Sequence, residues 1–170
     1  RQGRRPVAPL PSRLTTGTGE ATAGWAGRHT IWFTDVMLLT EIDHVAIAVR
    51  DLEAAIAYYA SAFGAEVHHR EIVDSDGVEE ALVKVADSYI QLTAATRPDS
   101  PIAKAIEKRG EGLHHVGYRV ANCQEALDAM VAAGATPIDT TPRPGSRGTT
   151  VAFIHPKGSF GTLIELVQEN

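Results

Sequence analysis

The sequence predicts an α+β fold in which two tandem βαβββ modules curl together into a half-open mixed β-barrel. Three observations predict it. His44, Val45 and Val49 recur as His115, Val116 and Val120 at a constant offset of 71, and Ile90-Gln91-Leu92 recurs as Ile164-Glu165-Leu166 at an offset of 74. Each repeat runs from an apolar β-branched segment through a helical pattern into further short strands. A single βαβββ module cannot bury both faces of its sheet alone, so two must share the burden.

The elements follow in order. Asp43–Val49 is apolar and β-branched, a strand. Asp51 reads as an N-cap, Leu52–Phe63 has helical spacing, and Gly64 stands where a left-handed C′ residue belongs. Strands are expected at Glu66–Ile72, Glu79–Val85 and Ser88–Ala94, separated by the turn signals Asp74-Ser75-Asp76-Gly77 and Ala86-Asp87. Residues of about 100–110 form a linker helix with a Ser cap, Pro101 at the first helical position and Gly110 at its end. The second module opens with the strand His114–Val120. Asn122 and Glu125 form a capping-box-like start to a helix over Cys123–Ala133, stopped by Gly134. Strands are then expected near Thr136–Ile138, Thr149–Ile154 and Gly161–Gln168. Module 1 thus spans about 41–95 and module 2 about 112–170, inside a single domain over 37–170.

Residues 1–36 do not fit this pattern. They carry five Arg against two acids, a net charge of +3, which leaves −8 on the other 134 residues. Pro6, Pro9 and Pro11 preclude a regular helix there. A transit peptide or a vector remnant would account for such a stretch, but upstream sequence preceding a natural start at Met37 is preferred, and the segment is expected to be non-functional. The chain's formal charge of −5 argues against a general nucleic-acid binder. No apolar run approaches the roughly 18 residues of a membrane span. Cys123 is the only cysteine, which excludes an internal disulfide and a zinc ribbon and makes a cytoplasmic location the simplest expectation.

Each half begins with a His on its first strand and ends with a polar residue inside an apolar strand. Side by side about a pseudo-twofold, the modules would bring His44, Gln91, His115 and Glu165 around one point. Two imidazoles, a carboxylate and an amide oxygen suit a divalent transition metal, with positions left for water or substrate oxygens. Singly, a His at a strand start is more often structural, and Gln91 alternates onto a face shared with Tyr89 and Thr93 that solvent would satisfy. The recurrence at matched positions of two halves is what favours the metal. His114 is left out, because alternation directs it away from His115. Glu80 reads by pattern alone as a solvated acid beside Glu79. No phosphate-cradling glycine loop is present, and Arg143, Arg147 and Lys157 are candidates for anionic contacts or simply solvated charges.

These motifs resemble the vicinal-oxygen-chelate superfamily, and within it most nearly the methylmalonyl-CoA epimerases. The resemblance covers residues 37–170. It is carried by Ile42-Asp43-His44-Val45-Ala46-Ile47-Ala48-Val49, Gly77-Val78-Glu79-Glu80-Ala81, Tyr89-Ile90-Gln91-Leu92, Gly112-Leu113-His114-His115-Val116 and His155-Pro156-Lys157 with Leu163-Ile164-Glu165-Leu166, and Ser100-Pro101-Ile102-Ala103-Lys104 is similar to the family linker. It implies His44, Gln91, His115 and Glu165 as metal ligands and Glu80 as the catalytic carboxylate, with Glu165 a candidate second acid/base. It further implies a divalent metal (Co2+ first, then Mn2+, Ni2+ or Zn2+), an acyl-CoA substrate epimerised at C2 through an enolate, and a homodimer, with no nucleic-acid or membrane partner. A glyoxalase I-type lyase, a two-His-one-carboxylate oxygenase and a metal-free antibiotic-binding protein of the same fold are the alternatives.

Overall fold

The computed structural model describes residues 38–170; the expectations for residues 1–36 and Met37 lie outside them. The first half runs β1 (Leu39–Val49), α1 (Leu52–Phe63), β2 (Val67–Val73), β3 (Val78–Val85) and β4 (Ser88–Ala95). α2 (Pro101–Arg109) leads to the second half, β5 (Gly112–Val120), α3 (Cys123–Ala132), β6 (Arg143–Pro144), β7 (Thr150–Ile154) and β8 (Ile164–Gln168).

The capping residues perform as their chemistry dictates. The Asp51, Ser100 and Asn122 side chains accept from the amides of Ala54, Ala103 and Glu125 at helix starts, each contributing about 1 kcal/mol. Gly64 closes α1 in the left-handed conformation at φ 65°, which a residue with a Cβ adopts at a cost.

The eight strands of the described residues form one mixed sheet in the order β2-β3-β4-β1-β5-β8-β7-β6. β1 and β5, the opening strands of the two halves, pair antiparallel at its centre; β1 pairs parallel with β4, and β5 parallel with β8. This is the half-open mixed barrel expected of two related modules. Alternation assigns the faces. On one, Ala81, Val83, Leu92 and Ala94 pack with Leu52 of α1, while Ala152, Ile154 and Leu166 pack with Cys123, Ala126 and Leu127 of α3. Truncating Leu92 or Leu166, both fully buried, is expected to cost about 2–5 kcal/mol. The intervening positions, Glu80, Gln91, Thr93 and Glu165, turn to the opposite face and line one cavity.

Two expected strands differ. The segment near Thr136–Ile138 makes only a single bridge, Pro137 to Ile154. Pro137 lacks the amide hydrogen that a longer ladder there would need, and pairing with β7 resumes only at the two-residue β6. The last strand starts at Ile164 rather than Gly161, because Phe160 and Gly161 turn through positive φ of 53° and 86°.

Candidate active site

His44 on β1, His115 on β5 and Glu165 on β8 meet where the two halves join. His44 Nε2 lies 2.9 Å from His115 Nε2, and each of these nitrogens lies 2.9 Å from Glu165 Oε2. All three residues are buried. Three nitrogen and oxygen donors converge on one point, and the cluster could bind a metal. Gln91 on β4 is also buried, and its Oε1 has no hydrogen-bond partner. A buried, unpartnered amide oxygen costs about 1–3 kcal/mol unless a ligand satisfies it, which fits a cation.

Gly117 explains how His44 reaches this point. It faces His44 across the β1–β5 ladder, and a Cβ there would come within 2.6 Å of His44 Nδ1. Only glycine lets the imidazole lie flat against β5.

The β1–β5 register breaks at three places, two of which match between the halves. Ile42 pairs with Tyr118 and His44 with Gly117, leaving Asp43 extra; Ala46 pairs with His115 and Ile47 with Leu113, leaving His114 extra. A bulge residue does not obey the two-residue alternation. The expectation that His114 points away from His115 is thereby overturned: the two Nδ1 atoms lie 2.8 Å apart, and His114 lines the same cavity. In the first half Asp43 accepts from His44 Nδ1 at 2.8 Å. Both imidazoles are thus held through Nδ1 by the residue before them, leaving Nε2 for the centre. Asp43 and His114 were missed as partners, although the offset of 71 also relates them.

Electrostatics sort these groups. Burial works against a charged His44, but hydrogen bonds to Asp43 and Glu165 outweigh it and raise its pKa to about 9. Burial likewise opposes ionisation of Glu165, yet bonds from His115 and His44 hold its carboxyl well below the usual range. Asp43 falls to about 2 against the same desolvation, through His44, Arg147 and Arg119. His114 falls to about 4 because burial and the neighbouring His115 disfavour its cation. Glu80 moves the other way. Burial raises it, and the Glu165 charge adds to the shift.

Glu80 is only 3% exposed, so the reading of a solvated acid gives way to a buried one. Gln91 Nε2 donates to Glu80 Oε2 at 2.7 Å, while Glu80 Oε1 has no partner. The cavity, of about 180 Å³, continues past Ile102, Ile138, Phe153 and Leu163 and has a predominantly apolar wall. Arg143 reaches it but is paired with Asp139 and Asp76. Arg147 turns instead to Asp43. Among the described residues no helix is long and apolar enough to cross a membrane.

Comparison with known proteins agrees with this geometry. Residues 43–153 match the model of the Glyoxalase/Bleomycin resistance protein/Dioxygenase superfamily. An ethylmalonyl-CoA/methylmalonyl-CoA epimerase of Cereibacter sphaeroides is 38% identical over 133 residues, 77% of this chain and 99% of the relative. The mitochondrial methylmalonyl-CoA epimerase of Homo sapiens is 31% identical over 95% of this chain and 88% of its own. A Streptomyces coelicolor methylmalonyl-CoA epimerase variant solved with 2-nitronate-propionyl-CoA superposes with a TM-score of 0.75 at 38% identity, covering 77% of this chain and 95% of that one. The chain belongs to the Glyoxalase/Bleomycin resistance protein/Dioxygenase superfamily, in the family of these methylmalonyl-CoA epimerases.

Proposed function

We propose that the protein is a methylmalonyl-CoA epimerase, an isomerase that interconverts the (2R) and (2S) thioesters by moving the C2 proton. The observation that carries this reading is the buried carboxylate of Glu80, one oxygen held by Gln91 and the other unpartnered, in a cavity also lined by His115 and Glu165 of a metal-type triangle of donors. His44, His115, Glu165 and the Gln91 oxygen are the ligand set we assign to a divalent cation, Co2+ first among Mn2+, Ni2+ and Zn2+. A metal bound there supplies Lewis acidity that stabilises negative charge developing on the substrate's thioester and carboxylate oxygens.

The chain's own groups do the rest. The C2 proton is weakly acidic, so its acceptor must be a stronger base than an ordinary carboxylate and must be shielded from water. Glu80 meets both needs, since burial raises its proton affinity. The Gln91 amide holds Glu80 Oε2 and so aims Oε1. Glu165 is the second carboxylate in the cavity and our candidate for the opposite face of C2. Its hydrogen bonds from both imidazoles favour its service as a ligand over its service as a base. The apolar wall of Ile102, Ile138, Phe153 and Leu163 excludes water from the enolate. A homodimer acting in the cytoplasm is the setting we propose, isologous pairing being the commonest closed assembly for small folds.

The test is interconversion itself. Chelator-treated protein is expected to leave (2S)-methylmalonyl-CoA unchanged, and Co2+ to restore formation of the (2R) epimer. Full activity in the chelated protein would remove the metal from the mechanism.

A further inference from the structure

Arg147 occupies an unusual position. It sits within the turn Ser146–Gly148 at φ 55°, ψ 21°, a left-handed conformation that a residue with a Cβ holds only where its surroundings impose it. Its amide donates to Glu71 Oε2 at 2.9 Å, fixing this turn of the second half to β2 of the first. Its side chain is mostly buried and crosses the same junction. Nη2 donates to Asp43 Oδ1 at 2.6 Å, and the guanidinium stacks over the Tyr89 ring at 5.1 Å. Asp43 Oδ1 is also the oxygen that holds His44 Nδ1, at 2.8 Å. The other carboxylate oxygen is taken by Arg119. Tyr89 is the residue opposite His44 on the β1–β4 ladder.

We propose that Arg147 is a positioning residue for the metal centre: by clamping Asp43 it fixes the His44 imidazole with Nε2 toward His115 and Glu165. The turn that carries it also supplies Gly145 and Ser146 to the cavity wall. One side chain therefore ties the wall of the substrate cavity to the orientation of a ligand contributed by the other half. Among the described residues the clamp has no counterpart at the matching position of the second half. The residue matching Asp43 is His114, which holds His115 without an arginine among its hydrogen-bond partners. The inference rests on the ligand set proposed above.

Titration of Co2+ into metal-free protein tests it, with melting of the metal-free variants as the control for folding. Arg147→Gly removes the guanidinium and suits the left-handed backbone, so its melting temperature is expected to hold. Co2+ affinity is expected to fall about 10-fold, the low end for loss of an outer-shell partner. Asp43→Asn is expected to lose about 10- to 100-fold. The double variant should bind no more weakly than Asp43→Asn alone, because Arg147 acts through Asp43. Arg147→Lys keeps the charge but neither the planar fork nor the stacking, and a partial loss of about 3-fold is expected. Wild-type affinity in both Arg147 variants, or losses that multiply in the double variant, would overturn the proposal. Failure of the wild-type protein to bind Co2+ would instead refute the ligand set, and this inference with it.

Discussion

Glu80 and Gln91 show how little of a residue's chemistry lies in its type. Each is followed by a side chain that packs apolar surface, Ala81 after Glu80 and Leu92 after Gln91, and both turn into one cavity because strand alternation leaves them no other face. Burial then makes Glu80 a stronger base, and Gln91 spends its amide hydrogen on holding it. Glu80→Gln is expected to lower kcat by about 10²–10⁴-fold, the usual contribution of a general base, while Co2+ affinity changes little. Steady-state rates beside a metal titration check both, and a matched loss of affinity would move Glu80 into the ligand set. His44 carries the second prediction. Its pKa in the folded, metal-free protein, about 9, stands above the ordinary 6.5. The stabilisation from its bonds to Asp43 and Glu165 is therefore complete below about pH 6.5 and lost as the pH rises through about 9. The melting temperature of chelated protein should fall between those values. His114, depressed to about 4, contributes the opposite limb, its stabilisation present above about pH 6.5 and lost as the pH falls toward 4. A melting temperature flat from pH 6.5 to 9.5 would contradict the His44 environment.

At the scale of elements, the centre depends on the His44 ring lying close against the β5 backbone at Gly117. Gly117 permits this, since a Cβ would press on the His44 ring. Gly117→Ala is expected to displace His44, weaken metal binding at least 10-fold and cost about 1–3 kcal/mol through overpacking; calorimetry with and without Co2+ measures both. Unaltered affinity would mean that the ring does not need this gap. The same two strands mark where reading the sequence succeeds and where it stops. α1, α2 and α3 were legible from Asp51, Ser100 and Asn122 with their apolar periods, and the ligand-type residues from their recurrence between halves. The bulges at Asp43 and His114 were not, because a register break arises from how two strands pair and leaves alternation within each strand formally intact. Pro137 was visible, but where the chain resumes pairing, at Arg143–Pro144, is set by β7. The contact of Arg147 with Asp43 joins positions 104 apart and has no local signal at all.

For the whole molecule, the duplication supplies the logic of the site. Each half buries its own apolar face beneath its own helix, so the opposite faces meet without needing to be filled. They leave a cavity lined by Gln91 and Glu80 of one half and by His115 and Glu165 of the other, with His44 meeting the last two at the cluster of donors. Such a site forms only when both halves are folded and paired, which couples metal affinity to the integrity of the whole sheet. A cation held there would lie deep within a chain that carries a net charge of −8 over residues 37–170, where positive charge is what an anionic thioester requires. The most direct measurement follows the C2 proton of methylmalonyl-CoA by NMR in deuterium oxide with the Co2+-loaded protein. Rapid loss of that signal from either epimer, abolished by Glu80→Gln from at least one of them, is the expected result. Retention of the C2 proton through many enzyme equivalents by protein that demonstrably holds its metal would contradict the function proposed here.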